Sequence, residues 1–559
     1  MRQFAFLFFA SAGFAAAQVT IGSVVNAGSR IQSTSQFYGI AQGALFAIHG
    51  KGLGPDPLQQ ASFPLPTTDG LAGVTVQANI GGTAVDCILV YVSDAEVGAI
   101  LPSNTPLGTG TVTLNNNGDT ASKPITVVAA AFGTFTQTPT TGAAQALAFN
   151  VNSDGSTTLN TTTQSVQPEQ DVLINGTGLG AITSDETQSG VTDVPNTTIQ
   201  VYVGVMPATV VSAGRGLCCD GLDPSYPIPQ GIAAWDVIRF TIPDGVTGCA
   251  IPIVVQIGNL VSNLATLSID PSGAACTLIP SILSAALTQQ LAGKPDVKFG
   301  SVGLGRTIGM SATAKGAINT TKQDSGSASF IGENVPASMV TAETIYPVNV
   351  CTINGYPDPN GNIIHNGTVV TPVPFKEVNL DAGPTITISG PSGTRTIKGQ
   401  TLGMLGVVYS GGTLGNSTPG NYLDPGHYTI TGPGGKDVGA FMASTDVPSA
   451  PFVWTNLPDV TAPLDRSKNL TINWTGGVGT QVVATGGSGT QAFLCAAPVS
   501  AGQLTVPSYV LLSLPPSGPP VNFSSLNLSN RSVTLFTVSG LDIASISYSV
   551  SYSLALIFQ

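Results

Sequence analysis

The sequence predicts an all-β protein made of several β-sandwiches, and three observations support this fold class. Charged residues form only 9% of the 559-residue chain, whereas glycine (67) and proline (40) are abundant. Runs in which apolar and polar residues alternate are interrupted by Gly, Asn and Pro clusters roughly every eight to twelve residues, which is typical of β-sandwiches. The length corresponds to roughly four domains of about 150 residues each.

The N-terminus, MRQFAFLFFASAGFAAAQ, is typical of a secretory signal peptide. Arg2 provides the positive region, residues 4–9 the apolar region, and residues 15–17 the small-residue cleavage site. We therefore expect residues 1–17 to be removed and the chain from Gln18 to be secreted, outside the cell or at its surface. No later stretch approaches about 18 unbroken apolar residues, so we expect no transmembrane segment after signal cleavage.

A glycine-rich hexapeptide occurs twice, as HGKGLG at 49–54 and as NGTGLG at 175–180. Each copy ends an apolar run, so it predicts the end of a strand and the start of a loop in two related modules. Its glycines permit positive φ, and Leu53 and Leu179 are expected to pack back onto the core. A phosphate-binding loop would need GxxxxGK followed by Ser or Thr and a helix, and neither copy has this pattern.

The second copy resembles an IPT/TIG domain, an immunoglobulin-like module. The similarity lies in INGTGLG, IQVYVG, ATVVSA, FTIPDGVTG and VVQIGNLVSN, at residues 174–180, 199–204, 208–213, 240–248 and 254–263. With SVVNAGSR (23–30) and IAQGALFAIHGKGLG (40–54), it makes the chain up to Cys276 similar to a family of uncharacterised secreted proteins from acidobacteria (Solibacter-type). The resemblance implies tandem Ig-like sandwiches that serve as spacers or as protein- or carbohydrate-binding units.

These patterns predict four domains after the signal peptide: an N-terminal β-sandwich, an IPT/TIG Ig-like domain, a β-rich domain and a C-terminal β-sandwich, at 18–133, 134–276, 277–376 and 377–559. The last two form either one large sandwich or two packed ones.

Three local patterns lie in the C-terminal half. Leucines at 283, 287 and 291, followed by Gly293 and Pro295, predict a short linking helix within 280–295. The related runs TITISGPSG (385–393) and YTITGPGG (428–435) predict a small strand-and-turn repeat. QLTVPSYVLLSLP (503–515) predicts a further strand, and ISYSVSYSLALIFQ at the C-terminus predicts a closing sandwich strand with one apolar face.

Four of the seven cysteines are close in sequence, and export permits disulfides. Cys218 and Cys219 are adjacent, so each is predicted to bond a different partner. We expect them to pair with Cys249 and Cys276, in an order that the sequence does not fix. A four-cysteine zinc site is the alternative, but the CxxC spacing that such sites normally use is missing.

The other three cysteines are widely spaced. Cys351 and Cys495 are candidates for a long-range disulfide. Cys87 lies in the strand-like run TAVDCILVYV, which predicts a buried, unreactive thiol.

No catalytic pattern stands out. The chain has three histidines, His49, His365 and His427, without the spacing of a zinc site. It lacks the GxSxG motif of serine hydrolases, although paired carboxylates that are distant in sequence would escape notice. The net charge of −12 disfavours nucleic-acid binding. We therefore predict a non-enzymatic scaffold, adhesion or binding protein whose partner is an extracellular protein or a polysaccharide; a polysaccharide-active enzyme component is the alternative.

Two kinds of ligand contact remain open. Trp235 and Trp454 lie beside predicted loops or strand edges and are candidates for stacking on sugar rings. Core or edge packing is the favoured role for both, because large aromatic residues dominate sandwich interiors; Trp474 is expected in the core. The turns NNNGDT (115–120), NSDGST (152–157) and DPNGN (358–362) lack the full calcium-loop pattern. They predict hairpin turns and no cofactor, with peripheral calcium binding left open.

Overall fold

A computed structural model of the chain separates into two compact units. Unit 1 contains residues 1–142, 175–198 and 213–238, and unit 2 contains residues 143–174, 199–212 and 239–559. The structure describes residues 19–137, 145–193, 196–216, 228–276, 283, 287, 290, 291, 294, 296–312, 318–333, 348–355, 363–365, 368–370, 377–409, 412–414, 422–457, 460, 463–489, 491–518 and 524–559.

The described residues contain 39 strands and few helical residues, which confirms the all-β prediction. The strands up to residue 269 are β1 (Thr20–Asn26), β2 (Ile40–Ala41), β3 (Leu45–Lys51), β4 (Gln59–Gln60), β5 (Val74–Ile80), β6 (Thr83–Asp86), β7 (Ile88–Val92), β8 (Glu96–Ile100), β9 (Gly108–Asn116), β10 (Asp119–Val128), β11 (Gly133–Thr134), β12 (Ala148–Val151), β13 (Thr157–Leu159), β14 (Asp171–Thr177), β15 (Gln200–Val203), β16 (Met206–Arg215), β17 (Asp236–Thr241), β18 (Gly248–Ile257), β19 (Leu260–Val261) and β20 (Ala265–Ile269).

The remaining elements all belong to unit 2. They are β21 (Val297–Ala312), β22 (Ile318–Glu333), β23 (Val350–Gly355), β24 (Ile363–His365), β25 (Thr368–Val370), β26 (Glu377–Asn379), β27 (Thr385–Gly390), β28 (Gly393–Thr401), β29 (Val407–Tyr409), β30 (Gly412–Thr413), β31 (Gly426–Gly432), β32 (Phe441–Val447), β33 (Val453–Trp454), β34 (Leu470–Thr475), β35 (Gln481–Ser488), β36 (Gln491–Pro498), β37 (Gln503–Val506), α1 (Ser508–Ser513), β38 (Ser524–Phe536) and β39 (Ile543–Ala555), with 3-10 turns at Gly403–Leu405 and Val499–Ala501.

Unit 1 contains a β-sandwich of two five-stranded sheets. One sheet has the order β1-β3-β8-β7-β4 and the other β2-β10-β9-β5-β6. The alternation of β5, VTVQANI, places Val74, Val76, Ala78 and Ile80 in a core shared with side chains of the opposite sheet, such as Phe46 and Leu89. Period-two alternation therefore positions the core as expected for a half-buried strand.

A nine-stranded sheet forms the main part of unit 2. Its principal order is β23-β36-β35-β38-β39-β21-β22-β26, and β30 also pairs with β22. The predicted closing strand, β39, lies inside this sheet, antiparallel to β38 and parallel to β21. The predicted apolar face of the C-terminal run is buried throughout. It consists of Ile546, Tyr548, Val550, Tyr552 and Leu554 in β39, and of Leu556 and Phe558 after it.

Glycines inside strands are covered by aromatic rings on the neighbouring strand. Four such pairs are directly opposite each other in register: Tyr91 with Gly98, Tyr409 with Gly399, Phe441 with Gly432, and Phe493 with Gly486. A Cβ on these four glycines would lie only 2.2, 2.9, 2.2 and 2.4 Å from the ring atoms. At these four positions the ring supplies the contacts that the glycine lacks.

The smaller patterns are confirmed in part. β27 and β31, which contain the predicted small repeat, are paired antiparallel neighbours. Leu287, Gln290 and Leu291 are helical, within the predicted linking helix. The strand predicted at 503–515 is wrong beyond Val506, where the six-residue helix α1 follows Pro507. Proline suits the start of a helix because the first N–H groups of a helix have no acceptor within the helix, so the N–H that proline lacks is not missed. All six residues of α1 are buried.

Two of the predicted calcium-loop candidates are hairpin turns. Asn117 and Gly118 connect β9 to β10 with positive φ at both positions. The 152–157 turn connects β12 to β13, where Asp154 Oδ1 accepts bonds from the N–H and hydroxyl of Ser156 at 2.9 and 2.6 Å. The third candidate, 358–362, lies outside the described residues.

The cysteine pairing differs from the prediction in one part. Cys249 bonds Cys276, so the predicted pairing of these two with Cys218 and Cys219 is wrong; Cys218 and Cys219 lie outside the described residues. Cys249 lies in β18, and Cys276 follows β20. The bond is local because these two strands are antiparallel neighbours.

The other cysteine predictions agree with the structure. Cys351 and Cys495 are bonded, and they face each other in register on β23 and β36. Cys87 is a free thiol in the core of unit 1. Burial raises the pKa of Cys87 to about 12, which keeps the thiol protonated and unreactive.

Candidate functional site

The two hexapeptides occupy equivalent positions at the ends of strands. β3 ends at Lys51 and β14 ends at Thr177, the third residue of each copy. Leu53 and Leu179 are buried in unit 1, and Gly52 and Gly178, one residue earlier, have φ of 68° and 111°. The predicted strand ends, buried leucines and positive φ values are therefore confirmed.

In both copies an aspartate accepts bonds from the glycine–leucine dipeptide of the loop. In the first copy, the Gly52 N–H donates to Asp94 Oδ1 at 3.2 Å and the Leu53 N–H to the Asp94 carbonyl at 3.0 Å. In the second, Gly178 and Leu179 N–H both donate to Asp236 Oδ2, at 2.6 and 2.8 Å. Asp94 is exposed, whereas the Asp236 side chain is completely buried. The same loop is thus held by a solvated carboxylate in one copy and by a buried one in the other.

Arg215 completes the buried arrangement, which we call the Arg215–Asp236 clamp: these two side chains and the loop atoms of residues 178–180. The Arg215 guanidinium is also completely buried and contacts Asp236 through Nη1. Its Nη2 donates to the Gly180 carbonyl at 2.6 Å and to the Gly43 carbonyl at 3.4 Å. Burial raises the pKa of Asp236, while Arg215 and the two loop N–H groups act in the opposite direction. Both charged groups of the ion pair therefore bind backbone groups of the protein, Asp236 through Oδ2 and Arg215 through Nη2.

Further hydrogen bonds in unit 1 hold the strand end that leads into this loop. Trp235 Nε1 donates to Asn175 Oδ1 at 2.9 Å, and the Leu45 N–H donates to Thr177 Oγ1 at 2.8 Å. Asn26 Nδ2 donates to the carbonyls of Thr177 and Ala131, at 3.1 and 3.2 Å. The polar side chains in these four bonds, those of Asn26, Asn175, Thr177 and Trp235, are thus all bonded within the protein.

Ser103 and Glu186 form a neighbouring polar pair in unit 1. The Ser103 hydroxyl donates to Glu186 Oε1 at 2.8 Å and accepts from the Ile182 N–H at 2.9 Å. The Ser103 N–H donates to Glu186 Oε2 at 2.8 Å. Burial raises the pKa of Glu186, against the effect of these bonds. The Ser103 hydroxyl therefore connects two loops.

Unit 2 contains a second clamp of the same design. Arg306 and Asp324 face each other on β21 and β22, with Nε–Oδ1 and Nη2–Oδ2 distances of 2.7 and 2.9 Å. Asp324 Oδ2 accepts the N–H groups of Tyr422 and Leu423, both at 2.9 Å. Arg306 Nη2 donates to the Leu423 carbonyl at 2.6 Å. This is the Arg306–Asp324 clamp, and it too fixes two consecutive peptide groups of a loop.

The Arg306–Asp324 clamp predicts acid sensitivity. Burial alone would raise the pKa of Asp324, but the bonds from Arg306, Leu423 and Tyr422 lower it below the usual 3.8. The stabilisation is therefore complete above pH 3.8 and is lost as the pH falls through the lower, folded-state pKa. We expect Asp324→Asn to reduce the free energy of unfolding at pH 7 by about 1.5–3 kcal/mol. In urea titrations, the difference from wild type should shrink below pH 3.8; a difference independent of pH would contradict this.

The tryptophans do not form a ligand surface. Trp235 and Trp454 are only 3% and 4% exposed, which agrees with the core packing that the sequence favoured, and their alternative role as ligand contacts is wrong. Trp235 stacks on Phe135 with ring centroids 4.6 Å apart, and Trp454 packs edge-on against Tyr552. Trp474 is buried as predicted. Buried rings cannot stack on an external sugar.

The three histidines lie on three different strands. His49 is in β3 and contacts Arg30 and Glu96, while His427 in β31 pairs with Asp446 across the strand at 2.7 Å. His365 is the last residue of β24. Among the described residues, no three His, Cys, Asp or Glu side chains come together as metal ligands would. Within the same part of the chain, no helix combines the length and apolar character needed to cross a membrane.

Comparison with known proteins provides no family. No protein-family model and no curated protein sequence matches the chain. Among solved structures, the plexin A4 extracellular region is 10% identical, with a TM-score of 0.15 over 46% of this chain; the chain spans only 19% of the plexin chain. The S-layer protein rSbsC(31-844) is 9% identical (TM-score 0.15; 96% of this chain, 54% of that one), and titin domains A168-A170 are 10% identical (TM-score 0.13; 74% and 93%). Likenesses this weak carry no functional information.

Proposed function

We propose that the protein is a secreted, non-enzymatic β-sandwich protein that acts as an extracellular or cell-surface scaffold, with a protein or polysaccharide partner. The observation that carries this proposal is the use made of buried charge. In both clamps the carboxylate accepts two backbone N–H groups and the arginine donates to a carbonyl of the same loop. A catalytic acid or base has to exchange protons or contact a substrate, whereas these groups are committed to holding loops.

Secretion is supported by two features. The described residues contain two disulfides, Cys249–Cys276 and Cys351–Cys495, and such bonds persist in oxidising compartments but are rare in the cytosol. The expected signal peptide also supports secretion. IPT/TIG-type modules, proposed from the sequence resemblance, would suit a spacer or binding role outside the cell.

The proposal is tested with the chain from Gln18, produced with its disulfides formed. The protein is incubated with washed cells of the organism that produces it and, separately, with insoluble cellulose, chitin and xylan. Both bound protein and released sugar are measured. Retention on cells or on one polysaccharide without sugar release is the expected result. Sugar release would contradict the non-enzymatic role, and failure to bind any of these surfaces would contradict the cell-surface role. Protein with both disulfides reduced serves as the control for non-specific adsorption.

A further inference from the structure

A cluster of titratable side chains surrounds His49, the first residue of the first hexapeptide. His49 on β3 lies opposite Glu96 on β8, with Nδ1 3.3 Å from Glu96 Oε2. Its Nε2 lies 2.7 Å from Arg30 Nη1. Arg30 also lies 3.4 Å from Glu96 Oε1, which accepts the Tyr91 hydroxyl at 2.6 Å. We call Arg30, His49, Tyr91 and Glu96 the His49 cluster.

The chemistry of arginine fixes the protonation state of His49. A guanidinium can only donate hydrogen bonds, so His49 Nε2 has to accept the bond from Arg30 with its lone pair. The ring proton is then on Nδ1, from which it faces the Glu96 carboxylate. This arrangement requires neutral His49, because a proton on Nε2 would point at the Arg30 N–H and place two positive charges side by side.

Arg30 combines the contact to His49 with an unusual backbone conformation. It lies in the segment 27–39, which connects β1 to β2, and its φ of 55° falls in the left-handed region that non-glycine residues rarely adopt. Its guanidinium is the group that connects this segment to His49 and Glu96. The Arg30 side-chain contacts act together with the bond from the Arg30 N–H to the Asn26 carbonyl, at 3.0 Å, in holding this conformation.

We propose that His49 is an acid-sensitive latch for the segment 27–39. Neutral His49 accepts the bond from Arg30 and holds the segment against β3 and β8; protonated His49 repels Arg30 and releases it. Only the first hexapeptide has this property. The second begins with Asn175 at the position equivalent to His49, and asparagine does not titrate.

The groups around His49 act on its pKa in opposite directions, and the net effect is a lowering. Burial lowers the pKa of His49 below its usual 6.5, and Arg30 lowers it further, while Glu96 raises it. From β7, Tyr91 is neutral because its pKa is well above 10, and from β1 the register partner of His49 is Ser23, which does not titrate. Because the folded state binds the proton more weakly than the unfolded state, the latch is closed above pH 6.5 and opens as the pH falls below it.

The test compares wild type with His49→Gln, using His427→Gln as a matched control at an exposed histidine. The glutamine side-chain oxygen can replace Nε2 as acceptor for Arg30 without titrating. Amide hydrogen exchange in 27–39 is measured at pH 7.5 and 5.5 and corrected for the intrinsic rate. Wild type and His427→Gln should lose protection on acidification, by up to about tenfold for each unit by which the pKa is lowered, whereas His49→Gln should not.

A second measurement does not depend on any variant. With selectively labelled histidine, wild-type His49 should titrate below 6.5 and appear as the Nδ1–H tautomer by NMR. Titration at or above 6.5, an Nε2–H tautomer, or equal loss of protection in wild type and His49→Gln would each overturn the proposal.

Discussion

Replacing Asp236 by alanine is expected to reduce the free energy of unfolding of unit 1 by about 3–5 kcal/mol, because it leaves a buried arginine without its counter-ion. The substitution also removes the acceptor for the Gly178 and Leu179 N–H groups. Each buried N–H left without a partner adds to the cost. Urea unfolding followed by fluorescence measures the loss; Trp235, adjacent to the clamp, reports on this unit.

Asp94→Ala is the matched control for this prediction. Asp94 accepts from the equivalent glycine of the first hexapeptide, but it is exposed, so its removal should cost less than about 1 kcal/mol, the range of surface polar contacts. The double substitution Arg215→Met with Asp236→Leu should be less harmful than Asp236→Ala, since it removes both charges together. Equal losses for Asp94→Ala and Asp236→Ala would contradict the structural role assigned to the clamp.

Removing the Cys351–Cys495 disulfide is the second change with a large expected effect. The bond closes a loop with a sequence separation of 144, for which chain entropy alone gives a limit of about 5 kcal/mol, and measured losses are typically about 2–4 kcal/mol. We expect Cys351→Ser combined with Cys495→Ser to lower the urea midpoint of the unit 2 transition accordingly.

The Cys249–Cys276 bond provides the comparison. Its sequence separation of 27 gives a limit of about 3.5 kcal/mol in the same entropy account. Removing it by the corresponding pair of serine substitutions should therefore cost less than removing Cys351–Cys495. The reverse order would show that loop closure does not dominate the contribution of these bonds.

Features that depend on local pattern could be predicted from the sequence. Period-two alternation predicted β39 and its buried face, because burial on one side of a strand imposes that period. The repeated glycine–leucine dipeptide predicted where β3 and β14 end, because positive φ and a buried leucine are local requirements. The Cys351–Cys495 bond was a candidate from the sequence, and the structure confirms it.

Features that depend on which distant segments meet could not be predicted. Nothing local shows that Phe135 and Asn175 cover Trp235, so the sequence left a ligand contact open for this ring. The partners Arg215 and Asp236 are 21 residues apart in sequence, and their bonds are to a loop that precedes both. One signal was present: in a chain with 9% charged residues, Asp236 begins an alternating apolar strand, where a charge needs a buried partner.

Hydrogen exchange at Gly178 and Leu179 tests most directly whether buried clamps hold the loops of this protein. If Asp236 binds both N–H groups as described, these amides should exchange as slowly as those of the core strand β7, since only large-scale opening frees them. Gly52, bonded to exposed Asp94, should exchange faster and provides an internal standard. Exchange of Gly178 and Leu179 as fast as that of Gly52 would contradict the account.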